Sequence, residues 1–237
     1  MRVIRFSVEG LVNSYRVPFF RNYHKTFLAP PKTTIIGMLV NIMRESEGKY
    51  YNILEDNSIK VSVLIESIEG RLKDLWAYKV LEDSNNGRSV IRRDKLYKPV
   101  YTIYLKIEDQ DLFENVLDSL KSPKSIPSLG LDDEIVKIFD IETRELSNNN
   151  SNIINSVFMD ENYKYKYIVL DNSLTIETPS CNLIATYFKI ELDDRGARQV
   201  RTPKNELRQV EYINCEIEVE DIQSYIDSET GKKVVFY

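Results

Sequence analysis

One histidine, one tryptophan and two cysteines are all that this chain of 237 residues carries of those types. Any Ser-His-Asp arrangement would therefore rest on His24, and no elbow sequence supports one. No P-loop, HExxH, GxSxG or dinucleotide fingerprint is present either. Cys181 and Cys215 lie in apolar surroundings without CxxC spacing. Buried free thiols are expected there rather than a disulfide or metal ligands, which points to the cytoplasm. No run approaches the ~18 apolar residues of a membrane span, so no membrane partner is expected, and MRVIRFSVEG reads as a strand rather than a signal peptide. Asp132-Asp133 and Asp193-Asp194 each sit beside a turn glycine and read as solvated loop carboxylates, so neither a metal nor a cofactor is expected. The aromatic signatures of a sheet-face RNA reader are missing from the strands. No internal repeat of solenoid period is visible.

What is there is unevenly charged. The formal net charge is −5, which taken alone argues against a nucleic-acid partner. Residues 1–50 nevertheless hold eight Lys/Arg against three Asp/Glu, a balance of +5, leaving −10 for the remainder. Residues 88–98 add Arg88, Arg92, Arg93, Lys95 and Lys98 against Asp94 alone. Local patches, not the total, decide phosphate binding.

The densest information runs from Ser14 to Arg44. Arg16, Arg21, Lys25 and Lys32 are interleaved with Tyr15, Phe19, Phe20, Tyr23 and Phe27. Pro30-Pro31 stops the chain, and Ile35, Ile36, Leu39, Val40 and Met43 then recur at helical spacing, with Thr33 the expected N-cap. The open N–H groups of a helix start beside Lys32 would suit a phosphate. Gly37 sits inside the helical pattern, and close approach by another backbone would explain it. The stretch reads as a basic, aromatic-laced loop feeding an anion-binding helix, against the plainer reading of a loop with its cations in water.

In chain order, residues 2–9 form a strand with Ile4, Phe6 and Val8 on one face. The loop and helix follow, then alternating strands through Ile59–Ile65 and Tyr101–Ile107. Asp109 caps a second helix carrying Leu112, Phe113, Val116, Leu117 and Leu120, which SPKSIPSLG ends. Residues 135–141 supply a fourth strand. The order β-α-β-β-α-β makes the fold class α+β, ferredoxin-like. Residues 70–98 are an excursion too long for a hairpin loop, with arms 72–82 and 89–97 around a turn at 84–87. This predicts a projecting hairpin whose second arm is basic. SNNNSNIINS, residues 147–156, is the expected linker between a domain over 1–146 and a small β-rich unit over 157–237. In that unit YKYKYIV, IATYFKIEL and the alternation Ile213, Cys215, Ile217, Val219 read as strands. PSLGLDDE (127–134) is a loop whose Gly130 would let backbone approach a ligand.

His24, with Tyr23, Lys25 and Tyr15 nearby, has the residue types of a metal-independent ribonuclease, which needs a base for the 2′-hydroxyl and a cation for the phosphorane. The plainer reading is an imidazole that stacks on a base or bonds a phosphate.

Together these pieces resemble a known family. Arg16-x-Pro18 and Arg21 after a strand and glycine, then Lys25-Thr26, then Pro30-Pro31-x-Thr33-x-Ile35-Ile36-Gly37-Met38-Leu39, are similar to the N-terminal signature of the fifth family of CRISPR-associated RAMP-superfamily subunits. The resemblance extends through the long basic hairpin, the family's thumb, and the PSLG loop. It covers roughly residues 1–145; the C-terminal unit matches only in size and β character. It implies a subunit of a type I Cascade complex that caps the 5′ handle of the crRNA and contacts the repeated backbone subunit and the large subunit. Target DNA near the PAM is left open as a further partner. By position, Arg16, Arg21, Tyr23, His24, Lys25 and Thr26 would meet handle phosphates and bases, and Lys32 and Thr33 would hold a phosphate at the helix start. Arg88, Arg92, Arg93 and Lys95 would press on the crRNA from the thumb, with Ser128 and Gly130 backing the handle. One branch, in type I-C systems, processes crRNA with a Tyr, a Lys and a His. The thumb base here has no histidine, so a non-catalytic member, in style most like type I-B, is expected. An endoribonuclease built on His24 is the alternative, and a protein-interaction scaffold without RNA binding is a third.

Overall fold

A computed structural model describes residues 1–17, 20, 23–79, 87–160, 163–168, 183–184, 188–192, 199–203, 208–211 and 216–237. It is a mixed α+β fold, mostly strand, built on one antiparallel sheet. The first half contains β1 (Arg2–Gly10), β2 (Val12–Asn13), β3 (Tyr23–His24), α1 (Lys32–Met43) and α2 (Glu47–Glu55). Next come β4 (Ile59–Lys79), β5 (Arg88–Ile107), α3 (Gln110–Lys121) and β6 (Val136–Asn148). β1 lies between β6 and β5, and β4 pairs with the far side of β5; all three pairings are antiparallel.

The alternation of β1 decides which face goes where. Ile4, Phe6 and Val8 join α1 and α3 in the main core, with Ile103, Leu105, Val61 and Val63 from the neighbouring strands. Val3 points to the other face, where Leu64, Tyr104, Leu146 and Val234 form a second cluster. Both faces of the sheet centre are thus covered, so the strands are apolar on both sides here rather than cleanly alternating. A register shift between Arg5 and Ser7 leaves β6 with an extra residue opposite Phe6, next to Asp140 at φ 50°; such bulges curl a sheet.

The helices follow local rules with two departures. Asp109 caps α3, its carboxylate accepting from the Leu112 amide at 2.7 Å, and all five expected apolar residues are buried. At α1 the N-cap is Pro31 in extended conformation, with no side-chain cap; the Pro31 carbonyl accepts from Thr34 and Ile35 instead. Thr33 therefore lies one residue inside the helix and is not its cap, because the preceding proline already has the extended backbone that a cap requires. α2 has no counterpart in the sequence reading: Ser46 caps it, but only Tyr51, Ile53 and Leu54 are buried.

The excursion over 70–98 is not a separate hairpin inserted between two strands. β4 and β5 run unbroken through it, paired from Ile59↔Ile107 to Lys79↔Arg88. The apolar alternation of β4 stops near Ile68 because no residue of that strand is buried beyond it, although β5 still buries Leu96 and Ile91, while the backbone ladder, which is indifferent to side chains, continues. The turn expected at 84–87 lies outside the described residues, apart from Gly87.

In the second half, Tyr165–Ile168 and Glu216–Val219 pair antiparallel, as do Phe188–Leu192 and Gln199–Pro203. Cys181 and Cys215 lie outside the described residues. The segment 147–156 is more than a polar connector. β6 continues to Asn148, Ile153–Ile154 pairs with the 216–219 strand, and Ile154 and Ser156 are fully buried. The chain then returns: Tyr225–Asp227 pairs with the end of β6, and the Tyr237 amide and carbonyl bond Val61. Among the described residues no helix is long and apolar enough to cross a membrane.

Gly37 does not mark a close backbone approach. A Cβ there would meet only the Tyr50 ring at 3.8 Å, an ordinary contact. Gly37→Ala is therefore expected to raise stability by about 1 kcal/mol, the helix-propensity difference, in urea unfolding. A loss of stability would mean that the space beside Tyr50 is needed.

Candidate nucleic-acid interface

The loop between β1 and α1 folds back on itself. The Val17 amide donates to the Lys25 carbonyl and the Phe27 amide to the Tyr15 carbonyl, both at 2.8 Å, and Arg16 bridges Thr26. Tyr15, Val17, Phe27 and Ala29 go into the core, while Arg16 is exposed, and His24 and Lys25 are half-buried. β3 then joins the thumb strand in parallel, with Tyr23 beside Arg92 and His24 beside Arg93. This one short pairing brings two basic segments, about seventy positions apart in the chain, to the same edge.

Aromatic and cationic groups alternate along that edge. The Arg92 guanidinium lies 5.5 Å from the Tyr23 ring centre, and Tyr23 is 4.9 Å from Phe20, which the Lys25 ammonium approaches at 5.8 Å. Arg93 lies 5.0 Å over Trp76 and is paired with Asp74. Trp76 is 48% exposed, an unusual state for an indole and a ready platform for a flat ring. His24 is held below the ordinary imidazole value, first by partial burial and then by the charges of Arg16 and Arg93, so it is neutral at pH 7.

Against the loop and β5 packs the 128–135 turn, fixed by a buried carboxylate. Glu134, 2% exposed, accepts from the Ser14 amide and hydroxyl at 2.7 Å each and from the Leu131 amide at 3.0 Å, and pairs with Lys95 at 3.1 Å. The Asn13 amide group donates to the Leu129 carbonyl at 2.8 Å. Gly130, at φ +119°, passes so close that a Cβ would sit 2.5 Å from the Ser14 carbonyl oxygen and 2.1 Å from a Glu134 oxygen. Glycine is required here for packing inside the protein, where the sequence reading assigned the close approach to a ligand. Between turn and basic edge lies an open cleft of about 840 Å³. Its lining takes Ser14, Tyr15, Arg16, His24 and Lys25 from the loop, Trp76, Arg93 and Asp94 from β4 and β5, and Gly130, Leu131, Asp132 and Asp133 from the turn.

Of the residues singled out from sequence, Arg16, His24, Lys25, Arg93 and Gly130 line this cleft, and Tyr23 and Arg92 lie beside it. Others are engaged inside the protein. Thr26 is buried, its hydroxyl accepting from the Tyr15 amide and donating to the Phe27 carbonyl. Lys95 is spent on Glu134. Lys32 is a correction: it is 4% exposed and donates to the Asn57 side chain, and burial, with Lys60 nearby, pushes its pKa down to about 8. A phosphate at the helix start would not reach it. Thr33 is half-buried in the first turn of α1 and does not line the cleft. Ser128 pairs with Ile135 at the root of the turn. Arg88 lies on β5 opposite Lys79, and Arg21 is outside the described residues. Sequence reading missed Trp76 as a site residue and Glu134 altogether; a lone carboxylate after two aspartates looks like one more solvated charge. Among the described residues no cluster of three His, Cys, Asp or Glu is placed to hold a metal.

The model of the family CRISPR-associated protein (Cas_Cas5) matches residues 3–170. Among solved structures, a chain of a CRISPR RNA-guided surveillance complex aligns over 95% of this chain and 92% of its own, at TM-score 0.51 and 12% identity. A CRISPR protein from Archaeoglobus fulgidus aligns over 99% and 98%, at TM-score 0.52 and 15% identity. A third, the crystal structure of a Cas protein, is matched over 56% of this chain and 58% of its own, at TM-score 0.40 and 15% identity. At such identities the likeness is one of fold. No curated protein matches the chain.

Breaking the buried pair should be costly, because removing one charge leaves the other desolvated and uncompensated. Glu134→Gln is expected to lower stability by about 3 kcal/mol in urea unfolding, with Asp133→Asn as a near-neutral control. Equal, small effects from both would show that the Lys95 contact does not hold the turn.

Proposed function

This chain belongs to the CRISPR-associated protein (Cas_Cas5) family, and on that premise we propose that it is a non-catalytic, crRNA-binding subunit of a type I CRISPR surveillance complex. In this reading it caps the 5′ handle of the guide and contacts the repeated backbone subunit and the large subunit. The fold is read as the ferredoxin-like plan with a thumb, supported by the strand order β6-β1-β5-β4 and by helices packed on one face.

The observation that carries the proposal is the pairing of β3 with β5. It unites the cations of the early loop with those of the thumb, beside an exposed tryptophan. Single-stranded RNA is held by just these two means, cations that follow phosphates and rings that take up splayed bases. Arg16, Lys25, Arg92 and Arg93 are the phosphate contacts of this reading, with Tyr23, Trp76 and the neutral His24 meeting bases. The net charge of −5 is no obstacle, since the contact is local.

A second reading has one observation in its favour. A neutral imidazole beside Arg16 and Arg93 has the makings of a general base next to a phosphate, as a metal-independent endoribonuclease requires. Labelled repeat–spacer RNA, mixed with the full chain in EDTA and followed by both gel shift and cleavage, separates the two. A shift that needs the handle, with the RNA uncut and His24→Ala still binding, is expected. Defined cutting that disappears in His24→Ala would install the nuclease instead.

Binding should also weaken steeply with salt, through release of condensed counterions. Arg92→Ala with Arg93→Ala is expected to flatten the log–log salt slope by about 1.4, at ~0.7 per lost phosphate contact on a single strand. Lys232→Ala with Lys233→Ala, the same charge change elsewhere, should leave the slope alone. Equal flattening by both pairs would remove the thumb from the contact.

A further inference from the structure

The large apolar side chains left exposed among the described residues fall in two places. Five lie on the thumb strands, between Leu72 and Val90; the other four, Leu11, Ile126, Leu131 and Ile135, lie at the end of the sheet, in and beside the 128–135 turn. Three of this second group adjoin one row of the sheet. Gly10 pairs with Val136, and the Val136 amide donates to the Pro127 carbonyl at 3.0 Å. Val136 points into the main core, so Leu11 and Ile135, each one residue along, point to the opposite side of the sheet. Ile126, next to Pro127, is exposed beside them. The three are 65%, 55% and 66% exposed in that order.

This patch is tethered on every segment. The Asn41 side chain donates to the Ile126 carbonyl at 3.1 Å, the Lys124 amide to the Ile42 carbonyl at 2.9 Å, and the Lys98 amide to the Leu11 carbonyl at 2.9 Å. Ile135 is bridged to Ser128, and its neighbour Glu134 is the buried carboxylate that fixes the turn. A surface ordered in advance loses less entropy when it is bound. Its surround offers nothing to a phosphate chain. Glu9 stands opposite Lys137, and Lys98 pairs with Glu69 at 3.2 Å, which balances those four charges. Lys124 is left against Asp132 and Asp133, which are exposed and, among the described residues, in no salt bridge. An apolar centre inside a polar rim without positive excess is the make-up of a protein interface.

Resting on the reading above of an RNA-binding subunit in a larger complex, we propose that Leu11, Ile126 and Ile135 form the seat of the repeated backbone subunit. That partner brings apolar side chains to the three and a lysine or arginine to Asp132 and Asp133, the carboxylates that no cation of this chain neutralises. Its place follows from the turn. Leu131, Asp132 and Asp133 line the cleft and belong to the same turn as Ile135, so a protein seated here lies next to a strand held in the cleft. A subunit present in repeated copies must follow a ligand that itself repeats, which is the RNA backbone. It is therefore the partner that meets both the strand and this patch.

The test titrates the purified repeated subunit into the full chain by biolayer interferometry. RNA of the 5′ handle alone is present, which leaves no spacer for the repeated subunit to hold. Leu11→Ser with Ile135→Ser is expected to weaken subunit binding about tenfold, while handle RNA is shifted in gels as by the parent. Ile126→Ser, on a separate segment, should act in the same direction and keeps the test open if the double variant does not fold. Asp132→Lys with Asp133→Lys should also weaken subunit binding, by setting like charges against the partner's cations. Unchanged subunit affinity in the folded apolar variants overturns the seat, and unchanged affinity in the lysine variant overturns the basic flank of the partner. Loss of large-subunit binding or of self-association, with the repeated subunit bound as before, overturns the choice of partner. A parent chain that shifts handle RNA but binds no repeated subunit overturns the docking proposal and leaves the RNA-binding reading standing. One that does neither removes both.

Discussion

Glu134 is the residue on which the functional end of this molecule turns. Desolvating a carboxylate costs several kcal/mol, and here the cost is offset by three hydrogen bonds and one ammonium drawn from three places in the chain. Ser14 opens the basic loop, Lys95 stands at the root of the thumb, and Leu131 belongs to the turn across the cleft. None of these segments is held to the others by apolar burial alone. The turn exposes Leu131 and Ile135, and the thumb exposes Leu72, Leu75, Trp76 and Val90. An apolar replacement of the pair would fill the same space, but it would not specify which amides meet. What the ion pair adds is geometry, and the cleft is that geometry.

The thumb illustrates a different balance. Two strands with little core beneath them are marginal by themselves. β5 compensates by accepting a partner on its other edge, β2 near the sheet and β3 farther out, so that the hairpin becomes a short three-stranded ribbon. Arg92 over Tyr23 and Arg93 over Trp76 then add contacts that need no core. The same residues that would meet a ligand also hold the ribbon together.

Most of the fold was legible from periodicity. β1, the core of α1, all of α3 and the strands flanking the thumb follow from apolar spacing, because each buries an apolar face in the main core. α2 escaped since three buried residues in nine make a weak stripe. The continuity of the thumb strands escaped because periodicity reports burial, not hydrogen bonding, and beyond Ile68 no residue of β4 is buried. At the site, sequence found the cations but not their allegiances. Arg16 and Arg93 look the same in a charge count as Lys32 and Lys95, which are buried and committed to Asn57 and Glu134. Which lysine is spent inside depends on a partner far along the chain, and spacing carries no record of that.

The same point bears on how charge should be read here. Counting basic residues from sequence suggests a positive groove; the structure instead commits Lys95 to Glu134 and Arg93 to Asp74, and brings Asp94, Asp132 and Asp133 into the lining that Arg16 and His24 share. Carboxylates in that lining repel polyanions, so the cleft attracts them less than a count of its basic residues implies.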